Sequence, residues 1–194
     1  MRTIAVLVTL LLAFATPCFA QETAVQLKTV VRPTIELTKE IYIASWNITN
    51  LRQNASDNTN FMLGLGRKGK NWWFEAMLQR QYSLSSNQWF LDFRYQAVLP
   101  GGYKLFVEAA PFLERKALFH FIRLDRKVGR VYLGAESENI FRENNDSLGI
   151  GPMVTFPAVN LKAVKINPTL AYQFRFRREP GFVRFYLAIP MPFN

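Results

Sequence analysis

From Val183 to Phe193 every odd position is large and apolar: Val183, Phe185, Leu187, Ile189, Met191 and Phe193. Arg184, Tyr186 and Ala188 stand between them. Alternation of period two is the mark of a strand, because successive side chains leave a β-backbone on opposite faces. The pattern recurs along the chain, with turn residues at a spacing of roughly 10 to 16 residues, and helix signals are nearly absent. Trp72, Phe74, Ala76 and Leu78 oppose Trp73, Glu75, Met77, Gln79 and Gln81. Trp89, Leu91, Phe93, Tyr95, Ala97 and Leu99 oppose Gln88, Asp92, Arg94 and Gln96. Tyr103, Leu105, Val107 and Ala109 oppose Lys104, Phe106 and Glu108 after the Pro100-Gly101-Gly102 turn. Val164, Ile166, Leu170, Tyr172, Phe174 and Phe176 oppose Lys165, Asn167, Thr169, Gln173 and Arg175. Segments 34–48, 61–65, 115–125, 130–138 and 148–156 complete an all-β reading of about ten strands, with eight as the alternative. An even count leaves both chain ends on one side.

Alternation alone does not say which face is buried. A soluble sandwich hides its apolar face, whereas a membrane barrel turns it toward lipid and keeps the polar face in the lumen. The terminal strand, closing on the aromatic Phe193, resembles the C-terminal signal of Gram-negative outer-membrane β-barrels. It departs from that pattern in Asn194, which follows the aromatic, and in Pro190 and Pro192, which remove ladder donors. Aromatics near strand ends (Trp72, Trp89, Tyr95, Tyr103, Tyr172, Phe176) suit interfacial girdles. The expected fold is therefore an antiparallel up-and-down transmembrane β-barrel.

The N-terminus points the same way. Met1-Arg2, an apolar run over Ile4–Ala15 and Pro17-Cys18-Phe19-Ala20 read as a secretory signal peptide cleaved after Ala20. The run is short of the roughly 20 residues of a membrane-spanning helix. Residues 1–20 are then the leader, 21–33 a short N-terminal segment and 34–194 the barrel. Cleavage removes the single cysteine, and with it disulfide and thiol chemistry. The net charge of +10 becomes +9 without Arg2. In an exported protein this points to outer-membrane lipids and lipopolysaccharide as counter-charge rather than to nucleic acid. The resemblance further implies the barrel assembly machinery as a partner, reading Phe185, Leu187, Ile189, Met191 and Phe193.

The polar faces carry Arg94, Lys104, Arg130, Lys165 and Arg175 against Glu75, Asp92, Glu108 and Glu136. This near balance predicts a lumen plugged by an ion network, with Trp73, Phe106 and Tyr132 filling it further. No catalytic, cofactor or metal site is expected. His120 is the only histidine, which argues against a transition-metal centre. Outer-membrane phospholipases and lipid A deacylases resemble this chain in architecture and use a histidine with a nearby serine. No serine lies within ten residues of His120, leaving only long-range pairing with Ser137 or Ser147. The expected function is structural, adhesive or lipopolysaccharide-contacting. A narrow porin-like channel is the alternative, and a lipid-modifying enzyme stands behind both.

Overall fold

The computed structural model describes residues 24–52, 57–83, 87–143, 146–161, 164–176 and 181–193. The expected leader lies outside them. Twelve strands follow one another: β1 (Ala24–Glu36), β2 (Ile41–Arg52), β3 (Asn58–Lys68), β4 (Trp72–Ser83), β5 (Asn87–Leu99), β6 (Tyr103–Pro111), β7 (Ala117–Val128), β8 (Val131–Arg142), β9 (Ser147–Thr155), β10 (Val159–Leu161), β11 (Val164–Arg175) and β12 (Phe182–Phe193). Each long strand pairs with its sequence neighbour up to β9, which pairs with β11. β12 then closes the ring onto β1, and β10 is only a three-residue flap on β11. The result is a closed barrel of 11 strands.

Eleven corrects the expected ten or eight, and the extra strand is β1. Its outward Val25, Leu27, Thr29 and Val31 alternate with inward Gln26, Lys28, Val30 and Arg32, so residues 24–33 belong to the barrel wall. Pro33, read as the boundary of the first strand, sits inside it. It lacks the N–H for a full ladder, and β1–β2 pairing lapses between Val31↔Asn47 and Thr34↔Ala44 without a change of register.

An odd count has a topological consequence. β1 and β12 run in the same direction and pair in parallel from Ala24↔Phe182 to Ile35↔Phe193. The start of β1 and the end of β12 therefore lie at opposite rims, not at one. We call these the N-terminal rim, where β1 begins, and the C-terminal rim, where β12 ends. β12 pairs with β11 only as far as Ala188, so Pro190 and Pro192 fall where one neighbour is absent and a missing donor costs little.

Elsewhere the local chemistry matches the ring. Gly101 and Gly102 take φ of 77° and 76° in the β5–β6 turn, a conformation that strains residues with a Cβ. A Cβ on Gly151 would strike the Tyr172 carbonyl, so glycine lets β9 and β11 approach.

The two faces separate sharply. Inward-facing Glu75, Asp92 and Arg184 are fully buried, while outward-facing Leu63, Leu91, Phe93 and Phe185 are 52%, 41%, 39% and 45% exposed. The barrel is polar inside and apolar outside. Trp72, Phe74, Tyr95 and Tyr103 ring the outer wall toward the C-terminal rim, and Tyr82, Phe141 and Phe176 do so toward the other.

Candidate functional site: the lumen

Two arginine-centred networks cross the lumen. On the first wall Arg94 reaches Asp92 through Nε (3.1 Å) and Nη2 (2.9 Å), and Glu108 at 3.1 Å. Its guanidinium also lies 4.2 Å from the Trp46 ring centre. Residues two apart on β5 share a face, so Asp92 and Arg94 meet without any long-range fitting. Beside them Glu75 accepts hydrogen bonds from Arg32, the Tyr42 hydroxyl (3.0 Å) and Trp46 Nε1 (2.7 Å).

The second network centres on Arg184. Its guanidinium pairs with Glu136 at 3.3 Å and Glu138 at 2.8 Å, and donates to the Tyr186 hydroxyl at 2.8 Å. That hydroxyl lies 2.8 Å and 2.9 Å from the two Glu136 oxygens, and Gln173 donates to the same carboxylate at 2.8 Å. Arg175 holds Glu138 at 2.8 Å. Burying ions is expensive, and only dense pairing of this kind makes it tolerable.

Neutral groups complete the interior. Toward the N-terminal rim an amide ladder links Gln26, Asn50, Asn58 and Asn60 across β1–β3, and Gln79 of β4 donates to Asn60. Phe90 packs on Phe112 there at 4.1 Å. Apolar residues share the inner face: Tyr42, Ala44, Ile48, Met62 and Met77 on one wall, and Met153, Ala171 and Tyr186 on the other.

Of the nine lumen residues expected from sequence, Glu75, Asp92, Arg94, Glu108, Glu136 and Arg175 take part in these two networks. Lys104 faces inward but has no carboxylate within 4.0 Å among the described residues, and Lys165 sits exposed at the C-terminal rim. Arg130 is a correction: it lies exposed in the β7–β8 turn, beside Gly129 at φ 62°. Its alternation phase matches the lumen, but the strand starts one residue later. Sequence reasoning missed the role of Arg184, Arg32, Arg123 and Lys28. Arg184 stood in the polar phase of the last strand, so the signal was present. Of the expected assembly signal, Phe185, Leu187 and Ile189 lie on β12 with described side chains, while the side chains of Met191 and Phe193 fall outside the described set.

The lumen is not filled throughout. A cavity of about 580 Å³ occupies its C-terminal half and reaches the rim at exposed Phe156, Pro157 and Lys165. Trp73, Phe106 and Tyr132 form its walls rather than filling it, correcting the expected aromatic plug.

His120 is elsewhere. It opposes Asn139 on the outward phase of β7 and β8, two residues along from Ser137. Asn139 donates to Ser137, whose hydroxyl donates to the Gly149 carbonyl at 2.9 Å. His120 Nδ1 has no hydrogen-bond partner among the described residues. Among those residues no group of three His, Cys, Asp or Glu could hold a metal ion.

The two rims differ in charge. Lys39, Arg67, Lys68, Lys70, Arg126, Lys127 and Arg130 crowd the C-terminal rim against Glu36 and Glu40. Among the described residues the N-terminal rim balances Arg115, Lys116 and Arg142 with Asp57, Glu114, Glu143 and Asp146.

No protein-family model, curated protein or solved structure matches this chain.

Proposed function

We propose that this protein is a small outer-membrane β-barrel with a plugged lumen and a structural, adhesive or lipopolysaccharide-contacting role. One observation carries the reading: buried ion pairs lie on the inside while leucine, phenylalanine and tyrosine cover the outside. A soluble barrel would have to leave that apolar belt in water, at about 25 cal/mol per Å² of exposed apolar surface. In a bilayer the same belt is matched to its surroundings, and closure of the ring leaves no unpaired edge in lipid. The basic C-terminal rim suits the phosphates of lipopolysaccharide, and Phe193 would be read by the barrel assembly machinery. The export signal agrees with this destination. Fractionation of expressed protein, with gel mobility before and after boiling, tests it. A heat-modifiable band in the outer-membrane fraction is expected, and a soluble periplasmic protein would refute it.

The cavity favours a narrow channel as the second reading. Against it stand Arg94, 1% exposed in the cavity wall, and Arg184, 0% exposed and outside the cavity lining, each held by carboxylates. Single-channel recording separates the two, and the plugged barrel shows no steady conductance. A lipid-modifying enzyme draws support from the outward His120, Ser137 and Asn139. The Ser137 hydroxyl, however, is turned to a backbone carbonyl and not to the imidazole, so its proton has no base. Phospholipid vesicles incubated with the protein should release no fatty acid. Release abolished by His120→Ala would reinstate catalysis.

A further inference from the structure

The cavity in the C-terminal half has a charge imbalance that the rest of the lumen lacks. Six cations line it: Lys28, Arg32, Arg94, Lys104, Arg123 and Lys165. The arginines are engaged, Arg32 by Glu75, Arg94 by Asp92 and Glu108, and Arg123 by Asp125 at 2.8 Å. The two acidic groups on the lining, Glu108 and Asp125, are those already taken by arginines. Three ammonium groups remain, and none has a carboxylate within 4.0 Å among the described residues.

Two of the three rest on aromatic rings. Lys104 Nζ lies 4.1 Å from the Tyr132 ring centre, and Lys28 Nζ lies 5.9 Å and 5.6 Å from those of Phe121 and Tyr186. A ring face is a weak counterpart for an ammonium, worth about 0.5–1 kcal/mol where water reaches it. With Glu75 and Asp92 behind the lining, four carboxylates face the six cations, so the cavity keeps a net positive charge. Low-dielectric walls focus such a field into the enclosed space.

Shape and lining narrow the counter-ion. A volume of about 580 Å³ lies inside the range of roughly 300–1,000 Å³ typical of small-molecule sites, and is far larger than one inorganic anion requires. Between the lysines the walls are Trp73, Phe106, Phe121, Val30 and Ile48, flat or branched apolar groups. Trp73 and Phe106 pack with ring centres 5.9 Å apart, as do Phe106 and Phe121, giving a continuous aromatic wall. Water rather than lipid adjoins the opening, since Lys165 is exposed there and the apolar belt lies on the outer wall.

We propose that this cavity binds a water-soluble organic anion with a flat apolar body, an aromatic carboxylate being the simplest example. The carboxylate meets Lys104 and Lys28, and the ring lies against Phe106, Trp73 and Phe121. The site exists in the barrel whether or not the barrel is embedded in a membrane, so it does not rest on the reading above.

The test is calorimetric titration of the full-length purified protein in detergent micelles with 2-naphthoate, against empty micelles as blank. Uncharged 2-naphthamide is the matched control for the apolar body. Saturable one-to-one binding of naphthoate is expected, with the amide weaker by at least about tenfold for loss of the charge-assisted contact. Lys104→Gln and Lys28→Gln should each weaken naphthoate binding, and the double variant should weaken it most. Lys127→Gln, an equal loss of charge on the rim outside the cavity, should leave it unchanged. Both inward variants replace a lysine without a carboxylate partner by a polar residue of similar length, and an unchanged far-ultraviolet circular dichroism spectrum confirms that they fold. No saturable heat above the blank, equal affinity for the amide, or a Lys127→Gln effect as large as that of Lys104→Gln would each overturn the proposal.

Discussion

The two halves of the lumen are built from the same strands and the same polar phase, yet they resolve charge in opposite ways. In the packed half, Arg184 and Arg94 are enclosed by carboxylates, a tyrosine hydroxyl and amides. In the open half, Lys28 and Lys104 lie over rings beside a cavity. The side chains explain the difference. Guanidinium presents a planar fork that several carboxylate oxygens can meet at once, so it draws strands together across the lumen. Ammonium is a compact, strongly hydrated charge that keeps water beside it. Arginine therefore gathers carboxylates around itself wherever it stands in this lumen, and lysine does not.

The strongest way to break the comparison is to remove one arginine. Arg184→Met leaves Glu136 and Glu138 short of their main counter-charge in a buried site, at a cost of about 3–5 kcal/mol. Lys104→Met, on the open side, strands no carboxylate within ion-pair range and should cost under about 1 kcal/mol. Reversible urea unfolding in micelles, followed by tryptophan fluorescence, reads both. Equal losses would dissolve the distinction between the halves.

A second test moves to the outer wall. Leu91→Arg puts a charge in the middle of the apolar belt and should cost about 2–4 kcal/mol in bilayers. The same assay in lipid vesicles measures it, and a loss below about 0.5 kcal/mol would place Leu91 outside the hydrocarbon.

Third, the arginine plug can be removed without stranding charge. The combined change Arg94→Ala, Asp92→Ala and Glu108→Ala removes Arg94 with both of its carboxylates and leaves Glu75 on Arg32, so no carboxylate of that cluster is stranded. The cavity should then extend toward the N-terminal rim, and a small steady leak should appear in planar bilayers where the unmodified protein shows none. A robust channel in the unmodified protein would promote the porin reading.

The smallest expected effect lies at the rims. Lys68→Gln, Lys127→Gln and Arg130→Gln together should weaken binding to lipopolysaccharide vesicles several-fold at low salt and little at high salt, because exposed charges are screened over about 10 Å at 0.1 M. Arg115→Gln with Arg142→Gln at the other rim should change it less. Surface plasmon resonance at two salt concentrations makes the comparison.

Much of this was legible from alternation, and the failures have physical causes. β4 and β5 read almost to the residue, because their outward positions are apolar except Arg80 and Asn87 and inward Glu75, Gln79, Asp92 and Arg94 are polar. β1 escaped because Pro33 looked like a boundary, although the parallel partner β12 supports the strand through it. Arg130 escaped for the converse reason: its phase was right, but Gly129 turns the chain there. The inward set could be collected from phase alone, whereas its partners could not. That Arg184 meets Glu136 and Glu138 across the ring depends on closure and register, which no single strand encodes. The charge imbalance of the cavity was hidden for the same reason. A count of near-equal charges along the chain gives no sign that the carboxylates collect around arginine and leave the lysines alone.

The central claim is that the apolar face of this barrel meets lipid and the polar face does not. Single cysteines at Leu91, Phe185 and Gln79, in protein from which cleavage after Ala20 has removed Cys18, test it directly once the protein is in vesicles. Cysteine at 91 and 185 should react with a bilayer-dissolved maleimide and resist a water-soluble one, while cysteine at 79 should resist the lipid-borne reagent. Protection of 91 and 185 from both reagents, or labelling of 79 from the lipid phase, would contradict the account.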